Sequence, residues 1–143
     1  MSENDNGINL LEEGTELQLV FSKIAKAASQ SPDIIPVAVQ NIDTKEVILI
    51  AYTNEYAMKK SFETRVATFW STSRNELWIK GKSSGNTFEL IDVRVNCEQN
   101  SLLYLVRPEG EGICHTANSD GVARDCYYRR YNIDTELLEN LNP

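Results

Sequence analysis

The chain has 143 residues, of which 41% are hydrophobic and 24% charged, the size and balance of one globular domain and not of a disordered or fibrous chain. Its net charge of −7 argues against a nucleic-acid platform, which needs a basic face, while a local basic pocket for a small anion stays possible. No apolar run approaches the roughly 20 residues of a bilayer span, and the polar, acidic N-terminus carries no signal-peptide core, so a cytoplasmic protein without a membrane partner is expected.

Residues 1–14, rich in Asn, Glu and Ser, read as a flexible N-terminal tail ahead of a single domain over 15–143. Leu17, Leu19, Val20, Ile24 and Ala27 recur at helical spacing and predict a first helix that stops at Ser31-Pro32. Ile34 to Gln40 and Glu46 to Tyr52 are β-branched runs joined by Asn41 to Lys45, which predicts a hairpin. Asn54 is placed to cap a second helix that ends near Thr64 and carries Met58 and Phe62 on one face. Short strands are then predicted over Ala67 to Ser71, Glu76 to Lys80, Thr87 to Asn96 and Ser101 to Arg107. A last short helix, capped by Asp134 and carrying Leu137, Leu138 and Leu141, closes the pattern. No internal repeat is evident. The expected fold class is α+β, a mostly antiparallel sheet with a few packed helices.

Cys97, Cys114, His115 and Cys126 are the whole soft-ligand inventory, and they lie within thirty residues of one another. An odd cysteine count in a reducing compartment favours thiols over disulfides. Three thiolates can fill three of the four tetrahedral positions of Zn²⁺ and leave the fourth to water, the pattern of a catalytic zinc and not of a structural one. No CxxC occurs, so each cysteine could equally be a small buried apolar residue. His115 has the unperturbed pKa suited to proton transfer near neutral pH; the alternatives are a backbone hydrogen bond or a fourth place on the metal. Arg74, Lys80, Arg129 and Arg130, with the Ser83-Ser84-Gly85 turn, could bind an anion or be ordinary surface groups. Trp70 and Trp78 could stack on a purine or lie in the core.

In order along the chain stand Pro36-Val37-Ala38-Val39-Gln40, Ala51-Tyr52-Thr53-Asn54-Glu55, Phe69-Trp70-Ser71-Thr72-Ser73-Arg74, Leu77-Trp78-Ile79-Lys80-Gly81, Ser83-Ser84-Gly85-Asn86 and Cys114-His115-Thr116. This series resembles phosphoribosyl-AMP cyclohydrolase over about a hundred residues. The resemblance implies an intertwined homodimer that opens the adenine ring of N1-phosphoribosyl-AMP in histidine biosynthesis, with zinc and an additional magnesium requirement. It implies a zinc site in which Cys97 of one subunit meets Cys114 and Cys126 of the other. Beside the ligand Cys114, His115 is expected as proton carrier, and a substrate site is expected from Trp70, Ser71, Arg74, Lys80, Ser83, Ser84, Gly85 and Arg129. Three departures stand out. The family's Asp-Cys-Asp-x-Asp stretch, source of the magnesium carboxylates, reads Asn96-Cys97-Glu98-Gln99-Asn100, which leaves Glu98 as a weak magnesium candidate. Lys82 replaces an acid in the Gly81-to-Gly85 loop, and eleven residues, more than in the family, separate Cys114 from Cys126. Alternatives are therefore a zinc-only paralogue cleaving an amidine bond in another purine-like nucleotide, or a zinc-stapled dimer without catalysis.

Overall fold

The computed structural model describes residues 9–81, 85–110 and 116–143. A short helix α1 (Leu10–Glu13) and a second helix α2 (Lys23–Gln30) precede the hairpin β1 (Ile35–Asn41) and β2 (Val47–Thr53). Helix α3 (Glu55–Thr64) leads into the hairpin β3 (Thr68–Ser71) and β4 (Glu76–Ile79), then to β5 (Phe88–Val95) and β6 (Leu102–Pro108). A last hairpin, β7 (Arg129–Asn132) and β8 (Leu137–Asn140), ends the chain. The central sheet has the order β2-β1-β6-β5, antiparallel except for the parallel pair β1–β6, and β3–β4 and β7–β8 form two-stranded sheets of their own. The class is α+β, as expected.

The core lies where β1, β2, β6 and the start of β5 meet β3. Val37, Val39, Phe69, Phe88, Tyr104 and Val106 are all essentially inaccessible there. Each large apolar side chain so buried contributes roughly 1.5–3 kcal/mol. Helix α3 begins at Asn54, whose side chain accepts the Ala57 N–H at 2.9 Å, and stops at Arg65 in the left-handed region. It packs through Ala57 and Ser61, both fully buried, while Phe62 stays 40% exposed. Small residues let the helix approach closely. The Ser61 hydroxyl both donates to the Thr68 carbonyl at 2.9 Å and accepts the Thr68 N–H at 2.8 Å, pinning β3 to the helix.

Three expectations are corrected. The last helix is a strand: Leu137 and Leu138 lie in β8, because Asn132 Oδ1 accepts the N–H groups of Asp134 and Thr135, and Glu136 takes φ 60°, which no helix start tolerates. The first helix is shorter than its periodicity suggests. It begins at Lys23, and Leu19 and Phe21 remain exposed ahead of it. Thr15 already gives its carbonyl to the Leu138 N–H at 2.8 Å, which ties the segment before α2 to the last hairpin. Finally, the end of the expected tail is docked. Tyr128 donates its hydroxyl to the Glu12 carbonyl at 2.6 Å, and Arg129 donates to the carbonyls of Leu11 at 2.7 Å and Gly14 at 3.2 Å.

Candidate functional site

Cys126 is delivered by an irregularity in the central hairpin. Val39 faces Leu49 and Gln40 faces Val47, so Ile48 is an extra residue in β2 with no partner opposite. Its side chain is buried in the core, and its carbonyl accepts the Cys126 N–H at 2.9 Å. The thiol of Cys126 is exposed, on the wall of a pocket of about 260 Å³ shared with Leu17, Tyr127 and Arg129. The preceding Asp125 has its pKa raised, first by burial and then by the neighbouring Glu46 carboxylate, and both acids line a separate pocket of about 390 Å³ with Asp43 and Arg107.

The residues before Asp125, which lengthen the chain between the last two cysteines, form a small closed hairpin. Ala117 pairs with Ala123, and Asn118 Oδ1 accepts the N–H groups of Asp120 and Val122. Arg124 anchors it from within. Its guanidinium, 4% exposed, reaches Glu13 Oε1 and the Asn142 carbonyl, both at 2.8 Å, and lies 4.5 Å from the Tyr128 ring centre. Arg124 was not among the sequence candidates, and its sequence setting, between Ala123 and Asp125 in a polar loop, holds no sign of burial.

Cys97 is exposed in the turn between β5 and β6. That turn abuts the paired residues Val95 and Leu102, and Leu102 pairs in turn with Val37 at the start of β1. Ile48, which holds Cys126, lies beside Val39 and Gln40, which pair with Tyr104 and Leu105. From Leu102 to Leu105 is already roughly 10 Å along the strand, before the turn that carries Cys97 is added. Sulfurs bound to one zinc are roughly 4 Å apart, given bonds of about 2.3 Å in a tetrahedron. Among the described residues, no three His, Cys, Asp or Glu side chains of this single chain gather as metal ligands.

Cys114, His115, Ser83 and Ser84 lie outside the described residues. Glu109 donates its N–H to the Thr87 carbonyl at 3.0 Å, and the Thr87 hydroxyl bonds Glu109 Oε2 at 3.1 Å. Asn86 lies against two glycines: a Cβ on Gly81 would strike its backbone, and one on Gly110 would strike its side chain. Both glycines are required by this close approach. Gly81 and Gly110 are thereby brought to one place in the fold, both against Asn86.

The remaining candidates are dispersed. Trp70 and Ser71 stand on the far part of the β3–β4 hairpin, and Arg74 in its turn. The Trp70 indole N–H donates to Asn75 at 3.3 Å, and Arg74 is tethered by Ser71 and by Glu76 at 3.4 Å. Trp78 faces the other way, 5.7 Å from Phe69 in the core. Arg129 is engaged with the α1 carbonyls, and Arg130 pairs with Glu139 at 2.7 Å.

The family profile of phosphoribosyl-AMP cyclohydrolase matches residues 49–128, a stretch that contains all three cysteines and the histidine. The phosphoribosyl-AMP cyclohydrolase of Archaeoglobus fulgidus is 44% identical over 97 residues, covering 68% of this chain and 84% of that protein. The chain belongs to the phosphoribosyl-AMP cyclohydrolase family. The enzyme of that name from Haloquadratum walsbyi is 32% identical over 137 residues, covering 96% of this chain and 92% of its own. The histidine biosynthesis bifunctional protein HisIE of Aquifex aeolicus is 41% identical over 96 residues, covering 44% of that longer protein.

For the metal that the family resemblance implies, the donor chemistry fits: Cys97 and Cys126 present exposed thiols, the soft ligands zinc takes. No helix among the described residues is long and apolar enough to cross a membrane.

Proposed function

We propose that the chain is a zinc-dependent cyclohydrolase that opens the purine ring of N1-phosphoribosyl-AMP at the N1–C6 bond, as a homodimer whose metal centre draws on both subunits. The reading is supported by the family match across the whole segment that carries Cys97, Cys114, His115 and Cys126. The dimeric centre is supported by the placement of Cys97 and Cys126 near opposite ends of one sheet. A second subunit resolves that separation, because a two-fold axis can set one end of each sheet against the other end of its partner's.

Cys97 of one subunit and Cys114 and Cys126 of the other would hold the zinc. Bound there, zinc supplies the Lewis acidity that makes water a nucleophile near neutral pH. The water oxygen bonds to C6, the C6–N1 bond breaks, and His115 moves a proton from the attacking water to N1, the departing nitrogen. The Ser83-Ser84-Gly85 turn would offer N–H and hydroxyl groups to a substrate phosphate.

Subunit mixing tests the shared centre. Cys97→Ser and Cys126→Ser should each abolish zinc binding and turnover of phosphoribosyl-AMP. Freely reassorted, half the dimers are hybrids with one intact site of two, so activity should return to about a quarter of wild type. No recovery on mixing would confine the site to one chain. His115→Ala should keep its zinc and lose a factor on the order of 10² to 10⁴ in kcat, the usual span for a general acid–base. Zinc-loaded wild-type protein that leaves phosphoribosyl-AMP intact would overturn the proposed activity.

A further inference from the structure

The turn that presents Cys97 is cross-linked by its own side chains. Asn96 Oδ1 accepts the backbone N–H groups of Asn100 at 2.9 Å and Ser101 at 3.0 Å. With its oxygen so engaged, the amide turns Nδ2 toward Asn100, and Nδ2 donates to Asn100 Oδ1 at 2.6 Å. Asn100 Nδ2 in turn donates to Glu98 Oε2 at 3.3 Å. Gln99 closes the turn in the left-handed region, and its N–H bonds the Asn96 carbonyl at 3.1 Å.

Positions 96, 98 and 100 are those where the family resemblance implies carboxylates that hold magnesium. Two carboxylates at the distance of the Asn96–Asn100 contact would repel each other unless a cation or a proton lay between them. As amides, the same two positions attract. The atoms they turn toward their neighbours include two NH₂ groups, which repel a cation, and only Glu98 brings an anionic oxygen. Magnesium demands a near-octahedral oxygen shell and is usually bound through carboxylates. The residues of this turn do not fit it.

We infer that this turn has exchanged a cation cross-link for an amide cross-link: Asn96, Asn100 and Glu98 hold the Cys97 loop by hydrogen bonds, and the turn takes no magnesium. For the role of Cys97 the inference rests on the proposed function; for the metal it stands on the turn alone.

Calorimetric titration of the full-length, zinc-loaded protein with MgCl₂ tests it. Wild type should show no saturable magnesium binding into the millimolar range and no change in melting temperature. N96D/N100D restores two adjacent carboxylates, so it should melt lower than wild type in magnesium-free buffer. It should also gain at least about tenfold in magnesium affinity, with the melting temperature rising as magnesium is added. Should the double variant fail to fold, Asn100→Asp alone sets a second carboxylate beside Glu98 and should show the same gain to a lesser degree. Magnesium binding by wild type that vanishes in Glu98→Gln would overturn the inference, as would carboxylate variants that gain no magnesium response. None of these readouts needs turnover, so zinc-loaded protein inert toward phosphoribosyl-AMP would remove the proposed activity and leave the amide cross-link standing.

Discussion

The tetrapeptide Asn-Ile-Asp-Thr occurs twice, at Asn41–Thr44 and Asn132–Thr135, and builds the same turn both times. In each, the Asn side chain accepts two N–H groups, from Asp43 and Thr44 in one and from Asp134 and Thr135 in the other. In each, the fifth residue is left-handed, Lys45 at φ 68° and Glu136 at φ 60°, and returns its N–H to the Asn carbonyl. What differs is the surroundings. The first turn joins two strands of the central sheet; Ile42 bonds Val106 across to β6, and Asp43 pairs with Arg107 at 3.0 Å. The second joins the separate β7–β8 ribbon, and Ile133 is 83% exposed. Local chemistry decides the shape of a turn, and the surroundings decide how much of the molecule depends on it.

The largest effect expected from this contrast is that of Asn41→Ala. It strands two backbone N–H groups at a junction of the central sheet and should cost about 1–2 kcal/mol of global stability in urea unfolding. Asn132→Ala removes the same two bonds and the donation to Glu139 at 2.7 Å, yet should act mainly as local opening of β7–β8. Amide exchange at Arg130 and Glu139 should quicken while the global midpoint moves less than in Asn41→Ala. Equal global losses would mean that the last hairpin belongs to the same cooperative unit as the core.

Each hairpin also carries one carboxylate whose pKa is lowered. Asp43 is held below its ordinary 3.8 chiefly by the hydrogen bond from Arg107, and Glu139 below 4.5 chiefly by the Asn132 amide and then by Arg130. A lowered folded-state pKa means stability that is present above the unfolded value and lost as pH falls through the folded one. Acid titration should therefore weaken both hairpins below about pH 4, because both carboxylates are then protonated and lose their ionic hydrogen bonds. Asp43→Asn should flatten the acid limb of the global transition. Glu139→Gln should flatten only the local opening of β7–β8, and high salt should shrink both effects because both carboxylates are exposed.

The two turns also show what was legible in the sequence. Val47 and Ile48 after the first are β-branched, so the hairpin could be read from them. Leu137, Leu138 and Leu141 after the second fall at helical spacing, and the repeat of the four residues ahead of them was the better guide. Fold class, the Asn54 cap and most strands follow from such local signals. The candidate site follows less readily, because its residues meet through topology. That Cys97 and Cys126 lie near opposite ends of one sheet depends on β6 pairing in parallel with β1, a long-range contact with no local mark. Arg129 shows the same limit: an arginine suited to an anion is spent on the carbonyls of Leu11 and Gly14, residues more than a hundred positions away. Asn86 was visible only as part of a motif, and its close approach to Gly81 and Gly110 had no mark in the sequence.

The smallest effect probes the left-handed residues. Lys45 and Glu136 both occupy a conformation that glycine adopts without penalty and that costs a residue with a Cβ roughly 1–2 kcal/mol. Glycine also enlarges the entropy of the unfolded chain, which offsets part of that gain. Lys45→Gly and Glu136→Gly should each raise stability, by less than about 1 kcal/mol. For Lys45→Gly the increase should appear in the global transition. For Glu136→Gly it should appear as slower amide exchange across β7–β8, with the global midpoint nearly unmoved. A global rise from both would erase the distinction between the two hairpins. A fall in either would mean that the side chain at the left-handed position makes a stabilising contact worth more than the strain it imposes.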